Sequence, residues 1–161
     1  MIPSAVRGIV TAAALTTALT LLPPSAAGAA AGAAAGGDIE KVDLLGVTVI
    51  STKPRHVEPG DSWKTRLKLY TEKKKTYAGN GTSRCDTVRV TAHKLVVQCT
   101  RVLRLKKGSL VLSDQVTHKG HATATAKTAI VGGTGRYHSA YGQGTVTLAG
   151  PLLHFALRVD E

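Results

Sequence analysis

The chain has 161 residues, with 21 Lys and Arg against ten Asp and Glu, a formal net charge of +11 and six aromatic side chains. A chain of that length is expected to form one domain around a single core. The basic excess favours anionic surroundings such as acidic wall polymer or anionic lipid, or else a solvated basic exterior. Nucleic acid is not an expected partner, because the basic residues are spread over many segments and no aromatics are interleaved with them as stacking platforms.

Arg7 precedes an apolar Ala/Leu/Thr-rich run over 8–22, followed by Pro23-Pro24-Ser25-Ala26-Ala27 and an Ala/Gly tract to Gly37. A basic start, an apolar centre and small residues at a cleavage site describe a secretory signal peptide. The expected organisation is a signal peptide over 1–27, a disordered leader over 28–38 and one domain over 39–161, in a secreted, extracellular protein. A membrane anchor is the rival reading, but prolines break the apolar run and a spanning helix needs about 20 predominantly apolar residues. No transmembrane segment is expected after cleavage. Arg7 is the only charged residue before residue 38, so residues 38–161 carry 20 basic and ten acidic side chains, a net +10.

From Ile39 onward, short runs of Val, Thr, Leu and Ile alternate with Gly, Pro, Asn or Lys clusters, an all-β pattern. Strands are expected over 40–50, 62–71, 82–91, 94–105, 109–117, 121–131, 139–148 and 152–159. Eight consecutive strands with short connections suit an eight-stranded antiparallel up-and-down β-barrel, in which closure removes the exposed edges. In the second strand Trp63, Thr65, Leu67 and Leu69 share the expected inner face, while Lys64, Arg66 and Lys68 share the outer one. The third and fourth strands should turn near Ala92-His93. Cys85 and Cys99, the only cysteines, lie symmetrically about residue 92, so they should face each other across that hairpin. In an oxidising compartment a disulfide is the default, with a metal site or reactive thiol as weaker alternatives. In the last strand Leu153, Phe155, Leu157 and Val159 are the better candidates for burial.

Between the sixth and seventh strands the chain reads Gly132-Gly133-Thr134-Gly135-Arg136-Tyr137-His138-Ser139-Ala140-Tyr141-Gly142. Gly132, Gly133 and Gly135 read as a tight structural turn, since glycine supplies positive φ and close backbone approach. The pattern G-G-T-G-[RK]-[YF]-x-x-A-x-G resembles that of dirigent proteins and allene oxide cyclases, and in particular the bacterial secreted proteins grouped as allene-oxide-cyclase-barrel-like. Pro59-Gly60-Asp61, Leu69-Tyr70, Gly79, Gly81, Cys85 and Val97-Gln98-Cys99 fall in the order those proteins have them. The resemblance spans about residues 62–159. Members usually read Ala-Arg-Gly where this chain reads Ala140-Tyr141-Gly142, and in plant dirigent proteins that arginine faces the cavity, where it is thought to assist catalysis.

Asp114 is in phase with Leu110, Leu112 and Val116, which directs it into the lumen, where desolvation suits a carboxylate to proton transfer. The bland alternative is a wet acid near a strand end. Tyr141, Gln143, Thr145 and Thr147 share one face of the seventh strand. If Tyr141 stands for the family arginine, that row lines the pocket and the phenol orients a ligand; a space-filling tyrosine is the alternative. Asp114 and Tyr141 are therefore the catalytic candidates. Trp63, Leu67, Leu69, Gln143 and Thr145 are the ligand-binding candidates. His118 and His121 flank a Lys119-Gly120 turn and read mainly as exposed turn residues, with a pH-sensitive or metal role as the lesser alternative; His138 and His154 are scattered. No metal ligand set is expected, and no phosphate loop, because the glycines join two strands rather than opening a helix.

The resemblance implies a barrel that holds an apolar or phenolic small molecule and steers cyclisation, isomerisation or radical coupling without a metal or organic cofactor. The second hypothesis is a non-catalytic basic module held at the cell envelope by anionic wall polymer through its charge and the Lys73-Lys74-Lys75 loop, with a filled lumen. Both sides of the seventh strand hold small or uncharged residues, which suits packing against another copy, as a dimer or trimer.

Overall fold

A computed structural model of the chain describes residues 39–120 and 122–160. The expected signal peptide and leader, and His121, lie outside the described residues. The barrel is built from β1 (Glu40–Ser51), β2 (Ser62–Thr71), β3 (Tyr77–Val90), β4 (Leu95–Leu105), β5 (Gly108–His118), β6 (Ala124–Gly135), β7 (Tyr141–Ala149) and β8 (Leu152–Asp160). They form one closed antiparallel barrel in sequence order, with β8 returning to pair with β1. All-β class, strand number and up-and-down order are as the sequence implies. Alternation drives this outcome, because each strand buries one face in a shared lumen and closure pairs every edge.

The expected faces of β2 and β8 hold. Trp63, Leu67 and Leu69 are buried while Lys64, Arg66 and Lys68 are exposed, and Leu153, Phe155, Leu157 and Val159 are all buried. Cys85 sits directly opposite Cys99 in the β3–β4 register, and the two are joined as a disulfide with Cα atoms 4.1 Å apart. The hairpin closes over 91–94, where the Thr91 amide donates to the Lys94 carbonyl at 2.8 Å and the Lys94 amide donates to Thr91 Oγ1 at 3.0 Å.

Of the glycines expected to form the β6–β7 turn, Gly135 takes φ +64° and its carbonyl accepts from the His138 amide at 3.2 Å, so it opens the reversal, whereas Gly132 and Gly133 lie before it within β6. Gly132, Gly133 and Gly135 belong to β6 and pair with Val111, Leu110 and Gly108 of β5, with a register shift between Val111 and Leu112. Close approach explains two of them, since a Cβ on Gly133 would strike the Ser109 and Tyr137 carbonyls and one on Gly135 the Lys107 carbonyl, whereas Gly132 has open space around it and takes φ +147°. The reversal follows at 136–140, where the Ala140 amide donates to the Tyr137 carbonyl at 3.1 Å and Tyr137 tucks in as a buried side chain.

The seventh strand also departs from expectation. Val146 is fully buried and fixes the phase, so Gly142 and Gly144 face inward while Tyr141, Gln143 and Thr145 face solvent. A Cβ on Gly142 would strike the Arg158 carbonyl and one on Gly144 the Ala156 carbonyl and Leu157, so β8 approaches too closely for side chains at these two positions. Tyr141 is 59% exposed on the outer wall, and the assignment of Tyr141, Gln143 and Thr145 to the pocket lining is thereby corrected.

Candidate ligand cavity

The two barrel ends differ. At the end formed by the chain reversals after β2, β4 and β6, the lumen is packed with Leu69, Leu103, Leu110 and Tyr137, leaving only a shallow rim depression of about 400 Å³. At the opposite end a more enclosed cavity of about 320 Å³ enters the lumen, near the lower end of the roughly 300–1,000 Å³ usual for small-molecule sites. β2 contributes Trp63 and Thr65, β3 and β4 contribute Ser83, Arg101 and the disulfide, and His118 and Lys53 stand at the mouth. Trp63 is the only tryptophan in the chain, and Lys53 Nζ lies 5.4 Å from its ring centroid, within reach of a cation–π contact.

The floor is a polar network inside an otherwise apolar lumen. Arg101 Nε donates to Asp114 Oδ1 at 2.8 Å and Nη2 donates to Oδ2 at 2.9 Å, a two-pronged pair with both side chains almost wholly buried. Arg101 Nη1 donates to Ser83 Oγ at 2.9 Å, and Thr128 Oγ1 donates to Asp114 Oδ1 at 3.4 Å. Burying both charges is tolerable because they are opposite in sign and matched in planar geometry. A guanidinium has five N–H donors, so two of Arg101's have no acceptor among the described residues. His118 titrates below its ordinary value, first because burial disfavours the cation and then because Lys53 and Arg101 repel it. The mouth therefore presents a neutral imidazole beside an ammonium.

Asp114 points inward, as its phase requires, yet both its oxygens are committed to Arg101. Leu67 and Leu69 lie in the packed core rather than along the cavity, so of the expected ligand-binding residues Trp63 alone lines it. Arg101, Ser83, Lys53 and His118 were not singled out as ligand contacts. Arg101 was nevertheless findable, since it follows Cys99 by two positions and the cysteine pair fixes the inner face of β4. Among the described residues, no group of three or more His, Cys, Asp or Glu side chains is placed to hold a metal ion. Among the described residues no helix is long and apolar enough to cross a membrane.

No protein-family model matches the chain, and no curated protein matches it. Among solved structures it is similar to a pyocyanin demethylase, with a TM-score of 0.62 and 22% sequence identity, over 74% of this chain and 99% of that one. At that identity the likeness is one of fold.

Proposed function

We propose that the protein is a secreted ligand-binding barrel that takes one small, planar molecule carrying an acceptor oxygen into the open end of its lumen. The observation that carries this reading is the cavity of about 320 Å³ with an indole on its wall and Arg101 in its floor. Trp63 supplies an aromatic surface, the two uncommitted N–H groups of Arg101 suit a carboxylate, phenolate or carbonyl oxygen, and Lys53 adds charge at the mouth. Asp114 and Ser83 hold the guanidinium plane still, so a guest meets a preorganised donor. The glycine motif's resemblance to allene-oxide-cyclase-barrel-like proteins supports the same use of the lumen, and the similar solved barrel is named for action on a small molecule. Any chemistry on the guest, whether cyclisation, isomerisation or coupling, belongs to fold-level analogy and rests on confinement. Secretion is supported by the disulfide and by the signal-like first 27 residues.

The test uses 8-anilinonaphthalene-1-sulfonate, an aromatic anion, against its uncharged analogue N-phenyl-1-naphthylamine. Trp63 is the sole indole, so its emission reports occupancy directly. The expected result is saturable quenching by the anion, with Lys53→Gln weakening it by about threefold to tenfold, as for loss of one charge-assisted contact. Absence of saturable uptake by the folded protein would overturn the reading.

A further inference from the structure

We infer that the outer wall of β2, β3 and β4 is a docking surface for an extended phosphodiester-linked polymer, separate from the lumen and independent of what the lumen holds. Lys64, Arg66 and Lys68 project outward from β2, Arg84 from β3 and Arg104 from β4, and all five are exposed. The register makes them one patch. Lys64 lies directly opposite Arg84, and Asn80 lies between Lys68 and Arg104 in a row across the three strands.

Like charges placed directly opposite each other on neighbouring strands destabilise a sheet. Only Arg84 has an acidic partner, the exposed Asp86 at 3.4 Å; Lys64, Arg66, Lys68 and Arg104 form no ion pair among the described residues. Such an arrangement is costly for the barrel alone and suits an anionic partner. Nor does it simply follow from a basic composition, because the outer face of β7 is formed by Tyr141, Gln143, Thr145 and Thr147, without a charge.

The patch borders a trough of about 680 Å³ on the wall, with Ile50, Thr82, Thr100 and Val102 alongside Lys64, Arg66 and Arg84. Outward side chains along one strand repeat every 6–7 Å or so, which matches a flexible chain with one phosphate at each such interval. Threonines and an asparagine separate the cations where a single-strand binder would carry stacking aromatics. Tyr70 and Tyr77, at the far end of the patch, are turned edge-on to each other with centroids 6.1 Å apart. The wall therefore reads charge spacing and not bases.

The experiment measures binding of poly(glycerol phosphate) to the purified protein from about 50 to 200 mM salt, where counterion release makes log affinity fall linearly with log salt. Replacing Lys64, Arg66 and Arg84 together by Gln should lower the magnitude of that slope by about 2, the value for three lost phosphate contacts at roughly 0.7 each. Replacing Lys73, Lys74 and Lys75 by Gln removes the same charge from an exposed loop and should change the slope by less than about 0.5. Should the wall triple variant fail to fold, Lys68→Gln with Arg104→Gln carries the same test, with an expected loss of about 1.4. Equal slopes for wall and loop variants, no binding at low salt, or tighter binding of oligo(dT) or phosphatidylglycerol vesicles at matched phosphate would each overturn the inference. Trp63 emission checks that the variants keep the lumen intact.

Discussion

Arg101 and Asp114 are worth least to the barrel when only one of them is present. Asp114→Asn keeps the side-chain volume but leaves a guanidinium nearly unexposed and without its counter-charge, so unfolding in urea should show a loss of about 3–5 kcal/mol. Replacing both, Arg101→Met with Asp114→Leu, should recover most of that loss, since the desolvation cost disappears with the charges. A double variant no more stable than Asp114→Asn would contradict this account. His118 gives the second prediction at this scale. Burial, Lys53 and Arg101 keep it neutral in the fold, whereas the unfolded chain takes up a proton at the ordinary value of 6.5. Its contribution is therefore present above that pH and is lost as pH falls through the lower folded value. Between about pH 7.5 and 5 the wild type should lose more stability than His118→Gln, read as the difference in their urea midpoints.

At the scale of elements, the β3–β4 hairpin is the best-defined unit, with an ordered turn at one end and a cross-link in the middle. Cys85 and Cys99 are 14 residues apart, and a loop of about that length restricts the unfolded chain by roughly 3 kcal/mol. Changing both cysteines to alanine should cost about that much, checked by chemical denaturation, while the antiparallel register persists. The hairpin was legible because two cysteines equidistant from a turn leave one register open to them. β6 and β7 were less legible. Glycines in a row resemble a turn, but only Gly135 opens one; the need for Gly133 is set by carbonyls of Ser109 on β5 and of Tyr137 in the returning chain, which no local pattern reveals. In β7 both faces are uncharged, so alternation had no contrast to work with; the burial of Val146 and the close approach of β8 at Gly142 and Gly144 decide the phase.

For the molecule as a whole, strand count and closure followed from repeated alternation, whereas the cavity depends on unequal filling of the two barrel ends. Leu69, Leu103, Leu110 and Tyr137 fill one end, and a buried arginine, a class normally read as surface, occupies the other half of the lumen. Lys53 escaped notice as a site residue because it lies beyond the end of β1, where periodicity stops, and His118, read as an exposed turn histidine, is the half-buried last residue of β5. Closure carries a separate consequence. Glu40 pairs with Val159, so the first and last strands meet beside the filled end, opposite the cavity mouth. In a ring of eight strands no strand is topologically first. A short linker from 160 to 40, with the chain reopened at Lys106-Lys107, is a circular permutation that leaves every lumen contact and the mouth unchanged.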